Sequence, residues 1–316
     1  MKDSTQRRPL VTVAMVTYNS GKYVEFAIRS VLASSYKNFE LIISDDCSTD
    51  DTWDIIQSFD DERITARRNK KNIGEYPNRN KCIDLSKGKY FIFIDGDDIL
   101  IDFALNYAVF EMENHSDCVM ACGYLGRNYI VYPFVLSPVQ SYRFHYFGDS
   151  FFSNSFSQTF FKTIALKQVG GLSEKYSAGD LFIKAKLAAT NNILIIYPLL
   201  GWWRETPGQA SQYLSQEPYI YEQYELDKEI LELDTFPLSE KEKQAILSRN
   251  NKALFKKLIK SILMLKFHMF FKLYNFFSIK AINNRNTKLP KYKLGGSVLS
   301  PLSGKIIKDE YDNYIS

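Results

Sequence analysis

Through the first hundred residues, short apolar runs alternate with segments whose apolar positions recur at helical spacing. Residues 10–16 (LVTVAMV) predict a strand that stops in the turn cluster Thr17-Tyr18-Asn19-Ser20-Gly21. Val24, Ala27, Ile28, Val31 and Leu32 then recur every three or four residues and predict a helix starting at Lys22. Residues 39–44 (FELIIS) predict a second strand closing on Asp45-Asp46-Cys47-Ser48-Thr49-Asp50, with Ser48 or Thr49 placed to cap a helix through Ser58. Residues 64–66 predict a third strand, 78–86 a helix stopped by Gly88, and 90–94 (YFIFI) a fourth strand. The fourth run shows no alternation, as expected for a parallel-sheet strand covered on both faces. This repeated strand-helix order predicts an α/β fold with a mostly parallel sheet and right-handed crossovers.

Further on, 104–112 predicts a helix, 118–122 and 159–161 predict strands, and the segment 163–169 is broken off by Gly170-Gly171. A helix is predicted from Asp180 (DLFIKAKLAAT), then a final strand over 193–197. Residues 123–156, rich in aromatic residues, Gly and Ser, follow no period and predict no element; no internal repeat or low-complexity segment is visible.

A hydrophobic content of 45% over 316 residues is ample for one large α/β domain with an appendage, or for two domains. The net charge of +4 hides an asymmetry: residues 1–251 carry 27 Lys and Arg against 33 Asp and Glu, whereas 252–316 carry 13 against 3. A basic tail on an acidic body points to an anionic partner, a membrane surface or nucleic acid. Cys47, Cys82, Cys118 and Cys122 fit neither a zinc spacing nor a small disulfide framework, so reduced thiols in a cytoplasmic protein are expected. The N-terminus lacks the apolar core of a signal peptide, and no segment offers about 18 uninterrupted apolar residues for a transmembrane helix.

The candidate chemistry lies where YFIFI runs into Asp95, Asp97 and Asp98. Ligands of open α/β sheets bind beyond the carboxyl ends of the strands. Carboxylates there suit Mg²⁺ or Mn²⁺, which take one or two of them together with phosphate oxygens and water. The competing reading is an acidic turn capping the next helix.

VAMVTYNSGKYVEFAIRSVL, YKNFELIISDDCSTDDT and GKYFIFIDGDD, in that order and spacing, resemble the N-terminal half of family 2 glycosyltransferases with the GT-A fold. Weaker agreement continues through GGLSEKYSAGD to WWRETPGQAS near residue 211. The resemblance implies a GT-A catalytic domain over 1–212, with a nucleotide-sugar half (about 1–100) and an acceptor half (101–212), followed by a mostly helical, basic extension over 213–316. Its implied fold is a Rossmann-like, mostly parallel sheet flanked by helices.

The resemblance also assigns roles. The nucleotide would lie against Thr17, Tyr18 and Asn19, with Tyr18 on the base and Asp46 accepting from the uracil ring N–H. Asp45 is expected to serve its own turn. Arg79, of the Arg79-Asn80 pair, would meet diphosphate charge or else lie solvated on a helix face. Asp95 and Asp97 stand as the DxD element, with Asp97 the direct ligand of Mn²⁺ or Mg²⁺ and Asp98 in support. The implied reaction is inverting, with Asp180 as base; its alternative, and compatible, role is helix capping. Thr206 occupies the position where the family often carries His. Trp202, Trp203 and Arg204 would line the acceptor or diphosphate pocket, or else form a buried aromatic pair with a satisfied Arg.

Residues 252–282 mix Lys with Phe, Leu and Met, too apolar for a solvated helix and too often interrupted for a span. Lys256, Lys257 and Lys260 share a helical face that Lys266, Lys272 and Lys280 do not extend, so a kinked or two-part arrangement is expected. An interfacial helix on anionic lipid is the favoured reading; packing on the catalytic domain or on a second copy in a homo-oligomer is the alternative. No nucleic-acid motif accompanies the basic run. The expected protein is an inverting, metal-dependent transferase moving a sugar from a nucleotide donor, UDP-linked, to a saccharide or lipid-linked acceptor for surface polysaccharide or glycan, peripheral on the inner face of the plasma membrane. Its competitors are a catalytically idle nucleotide-sugar-binding or scaffolding subunit and a processive polysaccharide synthase. The latter should carry several transmembrane helices and a Gln-x-x-Arg-Trp element, neither of which is visible.

Overall fold

The computed structural model describes residues 8–125, 131–205 and 217–263. Its first half interleaves strands β1 (Val11–Thr17), β2 (Phe39–Asp45), β3 (Ile64–Arg68) and β4 (Tyr90–Phe93) with helices α1 (Val24–Ala33), α2 (Thr52–Gln57) and α3 (Glu75–Leu85). Then come β5 (Ile99–Leu100), α4 (Ala104–Asn114), β6 (Cys118–Gly123), β7 (Phe134–Leu136), α5 (Pro138–Phe147), β8 (Thr159–Lys162), α6 (Thr163–Gln168), α7 (Gly179–Ala188) and β9 (Asn192–Ile196). β10 (Gly201–Trp202), α8 (Glu217–Leu231) and α9 (Glu240–Leu263) close the described chain.

The main sheet has eight strands in the order β3-β2-β1-β4-β8-β6-β9-β7. Pairings β3-β2, β2-β1, β1-β4 and β6-β9 are parallel; β8 runs antiparallel to both β4 and β6, and β7 antiparallel to β9. This is the mostly parallel, helix-flanked α/β sheet that the strand-helix rhythm predicts. The final predicted strand is not the last, because β10 follows and pairs with β5 in a separate two-stranded ribbon.

Both faces of the sheet's centre are buried. Phe91 and Phe93 of β4 face one apolar cluster with α3 and α7, whereas Tyr90, Ile92 and Ile94 face the other with α1 and α4. A strand buried on both faces has no solvent side to carry polar residues, which is why YFIFI does not alternate.

The aperiodic stretch holds β7 and α5. The start of α5 is marked by Ser137-Pro138-Val139-Gln140: the Ser137 hydroxyl accepts from the Gln140 N–H at 3.4 Å, and the Gln140 side chain accepts from the Ser137 N–H at 2.9 Å. That capping box with proline at the first helical position was a readable start signal.

Helix α8 and the first half of α9 pack on the α/β body. Leu226, Ile230, Leu231, Leu238 and Ile246 belong to the same buried cluster as Phe91 and Phe93. Residues 252–263 therefore do not begin a helix but finish one that starts at Glu240; the rest of 252–282, and Thr206, lie outside the described residues. The described cysteines are all unpaired, and burial pushes the thiols of Cys82, Cys118 and Cys122 up to about 12.

Candidate active site

Strands β1, β2 and β4 end together, and their following loops open on a cleft of about 1320 Å³. Thr17, Tyr18, Asn19, Asp46, Arg79, Asp95, Asp97, Asp98, Asp180 and Trp203 all line it. Arg204 does not line it; it packs behind the carboxylate turn, as described below.

The loops after β1 and β2 are stitched to each other. The Asn19 N–H donates to the Ser48 hydroxyl (2.9 Å), the Asn19 side chain accepts from the Thr49 N–H (2.8 Å), and the Ser20 N–H donates to Thr52 (2.7 Å). Ser48 thus serves this junction and Asp45; α2 starts after Asp51 with no side-chain cap from Ser48 or Thr49. Asn19 and Cys47 sit at φ 50° and 64°, left-handed conformations that the short polar Asn tolerates better than most residues. Tyr18 is left 51% exposed at the mouth of the cleft.

The two acids after β2 have different surroundings. Asp45, fully buried, accepts from the hydroxyls of Thr17 and Ser48 and pairs with Arg68 at 3.4 Å. The Thr17 hydroxyl is therefore engaged by Asp45 rather than held out to a ligand. Asp46 accepts from the Asn69 amide (2.8 Å) and the Ile73 N–H (2.9 Å) on Oδ1, and from the Gly74 N–H (2.9 Å) on Oδ2. A carboxylate oxygen accepts two bonds, so Oδ2 retains capacity for one further donor from the cleft.

Arg79 is neither solvated nor on an open helix face, as one reading of the sequence had it. It is 4% exposed, forks onto Asp95 through two bonds of 2.7 and 2.8 Å, and binds Glu75 at 2.8 Å. Its guanidinium lies 5.0 Å from the Phe93 ring centre and 4.8 Å from that of Phe156. A bidentate arginine fixes the position and orientation of its carboxylate.

Asp98 is 2% exposed, and its Oδ1 accepts from the Arg204 N–H at 3.1 Å. Burial, and then the charges of Asp95 and Asp97, push its carboxyl up to about 7. Arg204 also donates from Nε to the Asp97 carbonyl at 2.9 Å, with its guanidinium 4.8 Å from the Tyr23 ring and 4.7 Å from the Trp202 ring. Trp202 and Trp203 are 53% and 41% exposed, so they do not form a buried pair. Gly96 is required in this turn: a Cβ there would meet Thr17 Cγ2 at 2.7 Å.

Among the described residues no three His, Cys, Asp or Glu side chains converge as a metal cage. The donor set nevertheless suits Mg²⁺ or Mn²⁺. These ions take one or two carboxylates and complete their shell with substrate phosphate and water. Asp97 with Asp95 supplies two carboxylates on the cleft wall.

Asp180 lies in the first turn of α7, after Ala178, and makes no capping hydrogen bond. The start of that helix is held from α3: the Tyr76 hydroxyl donates to the Ser177 carbonyl (2.5 Å) and accepts from the Gly179 N–H (2.9 Å). A Cβ on Gly179 would meet the Tyr76 ring at 2.7 Å. Glu222 of α8 accepts from the Ser177 N–H, and Gln223 lines the cleft, so the C-terminal extension reaches the site. Asp180 Oδ2 lies 3.5 Å from Nζ of Lys184, a residue with no exposed surface.

Sequence reading missed Lys184 and the wall formed by residues 153–158. Lys184 sits in the most apolar stretch of α7, where a polar residue buried among apolar neighbours was the available signal.

Residues 12–166 match the model described as Glycosyl transferase family 2. The chain is 38% identical over 104 residues to WfaP of Escherichia coli, a UDP-Glc:alpha-D-GlcNAc-diphosphoundecaprenol beta-1,3-glucosyltransferase, covering 33% of this chain and 41% of WfaP. It is 33% identical over 128 residues to WfgD of Escherichia coli, which bears the same enzyme name, covering 40% of this chain and 51% of WfgD. The chain thus spans about half or less of the length of these relatives. The crystal structure of S. aureus TarS 1-349 in complex with UDP-GlcNAc superposes with a TM-score of 0.61 at 22% identity, over 76% of this chain and 71% of that one, which establishes the shared GT-A fold.

Proposed function

We propose that this chain, a member of glycosyltransferase family 2 through residues 12–166, transfers a sugar from a UDP-sugar to a saccharide or lipid-linked acceptor. The observation that carries the proposal is the convergence of Asp46, Asp95, Asp97 and Asp180, from separate segments of the chain, on one cleft at the carboxyl ends of β1, β2 and β4. The UDP and lipid-linked parts of the reading draw on the WfaP name and the TarS complex.

In this account Tyr18 stacks on the base, and Asp46 Oδ2 accepts from the uracil ring N–H with its remaining lone pair. Asp97, with Asp95, would hold Mn²⁺ or Mg²⁺, which when bound neutralises charge on the departing diphosphate. Arg79 holds Asp95 in place rather than meeting the diphosphate itself. Asp180 takes the proton of the acceptor hydroxyl as that oxygen attacks the anomeric carbon. The bond from that carbon to the diphosphate oxygen breaks with its electron pair going to UDP, and configuration inverts. Trp203, partly exposed at the cleft, offers an apolar face to the acceptor sugar.

The end of α9 exposes the apolar stripe Phe255 and Ile259, with Lys256 and Lys257 exposed around the rest of the helix, an amphipathic arrangement suited to an anionic membrane surface where a lipid-linked acceptor would reside. Incubation with Mn²⁺, labelled UDP-glucose or UDP-N-acetylglucosamine, and bacterial membrane lipid containing diphosphate-linked saccharide tests the proposal. Label is expected in the lipid extract. Its absence with both donors, while donor binding persists, would instead favour the idle binding subunit.

A further inference from the structure

Two buried cations flank one aromatic ring in the cleft wall, and each is paired with a cleft carboxylate. Arg79 lies 4.8 Å from the centre of the Phe156 ring and forks onto Asp95. Lys184 lies 5.9 Å from the same ring and 3.5 Å from Asp180. Lys184 has no exposed surface, and its ammonium also donates to the Asn154 carbonyl. Asn154 and Phe156 line the cleft, and the Asn154 side chain is in turn anchored on the Gly123 carbonyl at 2.5 Å.

An ammonium removed from water is costly unless paired, and α7 offers apolar residues at 181, 182, 183, 185, 187 and 188 as the structural default for a buried position. A lysine here needs a reason that packing does not supply. The pairing at one helical turn would contribute little on an open surface, but burial of the ammonium makes it directional and hard to break.

We infer that Lys184 is a positioning residue for sugar transfer: it anchors the Asp180 carboxylate and, through the Asn154 carbonyl, ties it to the Phe156 wall shared with Arg79 and Asp95. The ring then acts as a spacer between the donor-side and acceptor-side carboxylates. The inference rests on the reading of Asp180 as the base.

The test is a double-mutant cycle on the full chain, with Asp180→Asn, Lys184→Met and their combination, followed by thermal unfolding and by UDP release from UDP-glucose and UDP-N-acetylglucosamine with Mn²⁺. Asp180→Asn is expected to lower Tm by several degrees alone and by far less in the Lys184→Met background. Lys184→Met should lower kcat at least 30-fold with donor binding within threefold of wild type, and Lys184→Arg should recover most of that loss. Equal Tm shifts in both backgrounds, or a kcat unaffected by Lys184→Met, would overturn the inference. Should the Lys184→Met chain not fold, Asp180→Asn decides alone, since an unchanged Tm means that no buried charge has lost its partner. The cycle requires no turnover. Full activity in Asp180→Asn would sink the base assignment while leaving the anchoring claim to the Tm data.

Discussion

Asp46, Asp95, Asp97 and Asp180 were legible as single letters because each follows an apolar run or opens a helical one. Their partners were not. Asp95 belongs to a fork with Arg79, and Asp98 shares its turn with Arg204, 106 residues away in sequence. Such pairings depend on the three-dimensional path of the chain, which local periodicity does not encode. Asp97→Ala should abolish Mn²⁺-dependent donor binding while leaving the fold intact, as circular dichroism and calorimetry would show; donor binding that survives with its metal dependence unchanged would remove Asp97 from the metal site. A buried acid away from the carboxylate turn also makes stability depend on pH. Burial pushes the Asp227 carboxyl up to about 6, against the opposing charge of Arg249. The folded chain therefore holds this proton more tightly than the unfolded chain. Its contribution is fully present below about pH 4 and is lost as pH rises to about 6. Asp227→Asn should accordingly raise stability by about 1–3 kcal/mol at pH 7.5, with little change at pH 4. A destabilised variant at pH 7.5 in urea titration would refute that sign.

At the scale of elements, α3 organises the site. Arg79 on one turn fixes the β4 loop, and Tyr76 near its start holds the first turn of α7 through the Ser177 carbonyl and the Gly179 N–H. Gly179→Ala drives a Cβ into the Tyr76 ring, and overpacking of this kind costs about 1–3 kcal/mol. Because the displaced element carries Asp180, kcat should fall by more than the stability loss alone explains, with donor affinity little changed. A variant with wild-type kcat would show that the α3-α7 contact does not set the geometry. The parallel half of the sheet was readable from its apolar runs, and α3 was read three residues short because Glu75-Tyr76-Pro77 resembles a loop. Residues 151–158 had no period to read; their order comes from contacts with Lys184, Gly123 and Gly201.

For the whole molecule, the segment beyond residue 212, expected as a basic extension, also contributes to the cleft. Helix α8 supplies Gln223 to the cleft and Glu222 to the loop before Asp180, and α8 and α9 share the catalytic core cluster. Within the described part of the stretch that begins at residue 252, Phe255, Lys256, Lys257 and Ile259 are exposed on α9. The paired substitutions Phe255→Ser and Ile259→Ser should reduce sedimentation with phosphatidylglycerol vesicles several-fold without changing UDP-sugar binding; sedimentation equal to wild type would exclude this face from membrane contact. The central claim, that one cleft binds a nucleotide-sugar through its carboxylates, is tested most directly by calorimetry of the full chain with UDP-, GDP-, CDP- and dTDP-sugars, with and without Mn²⁺. Mn²⁺-dependent binding of a UDP-sugar, abolished by Asp97→Ala, is expected. Failure of every donor to bind in the presence of Mn²⁺ would contradict it.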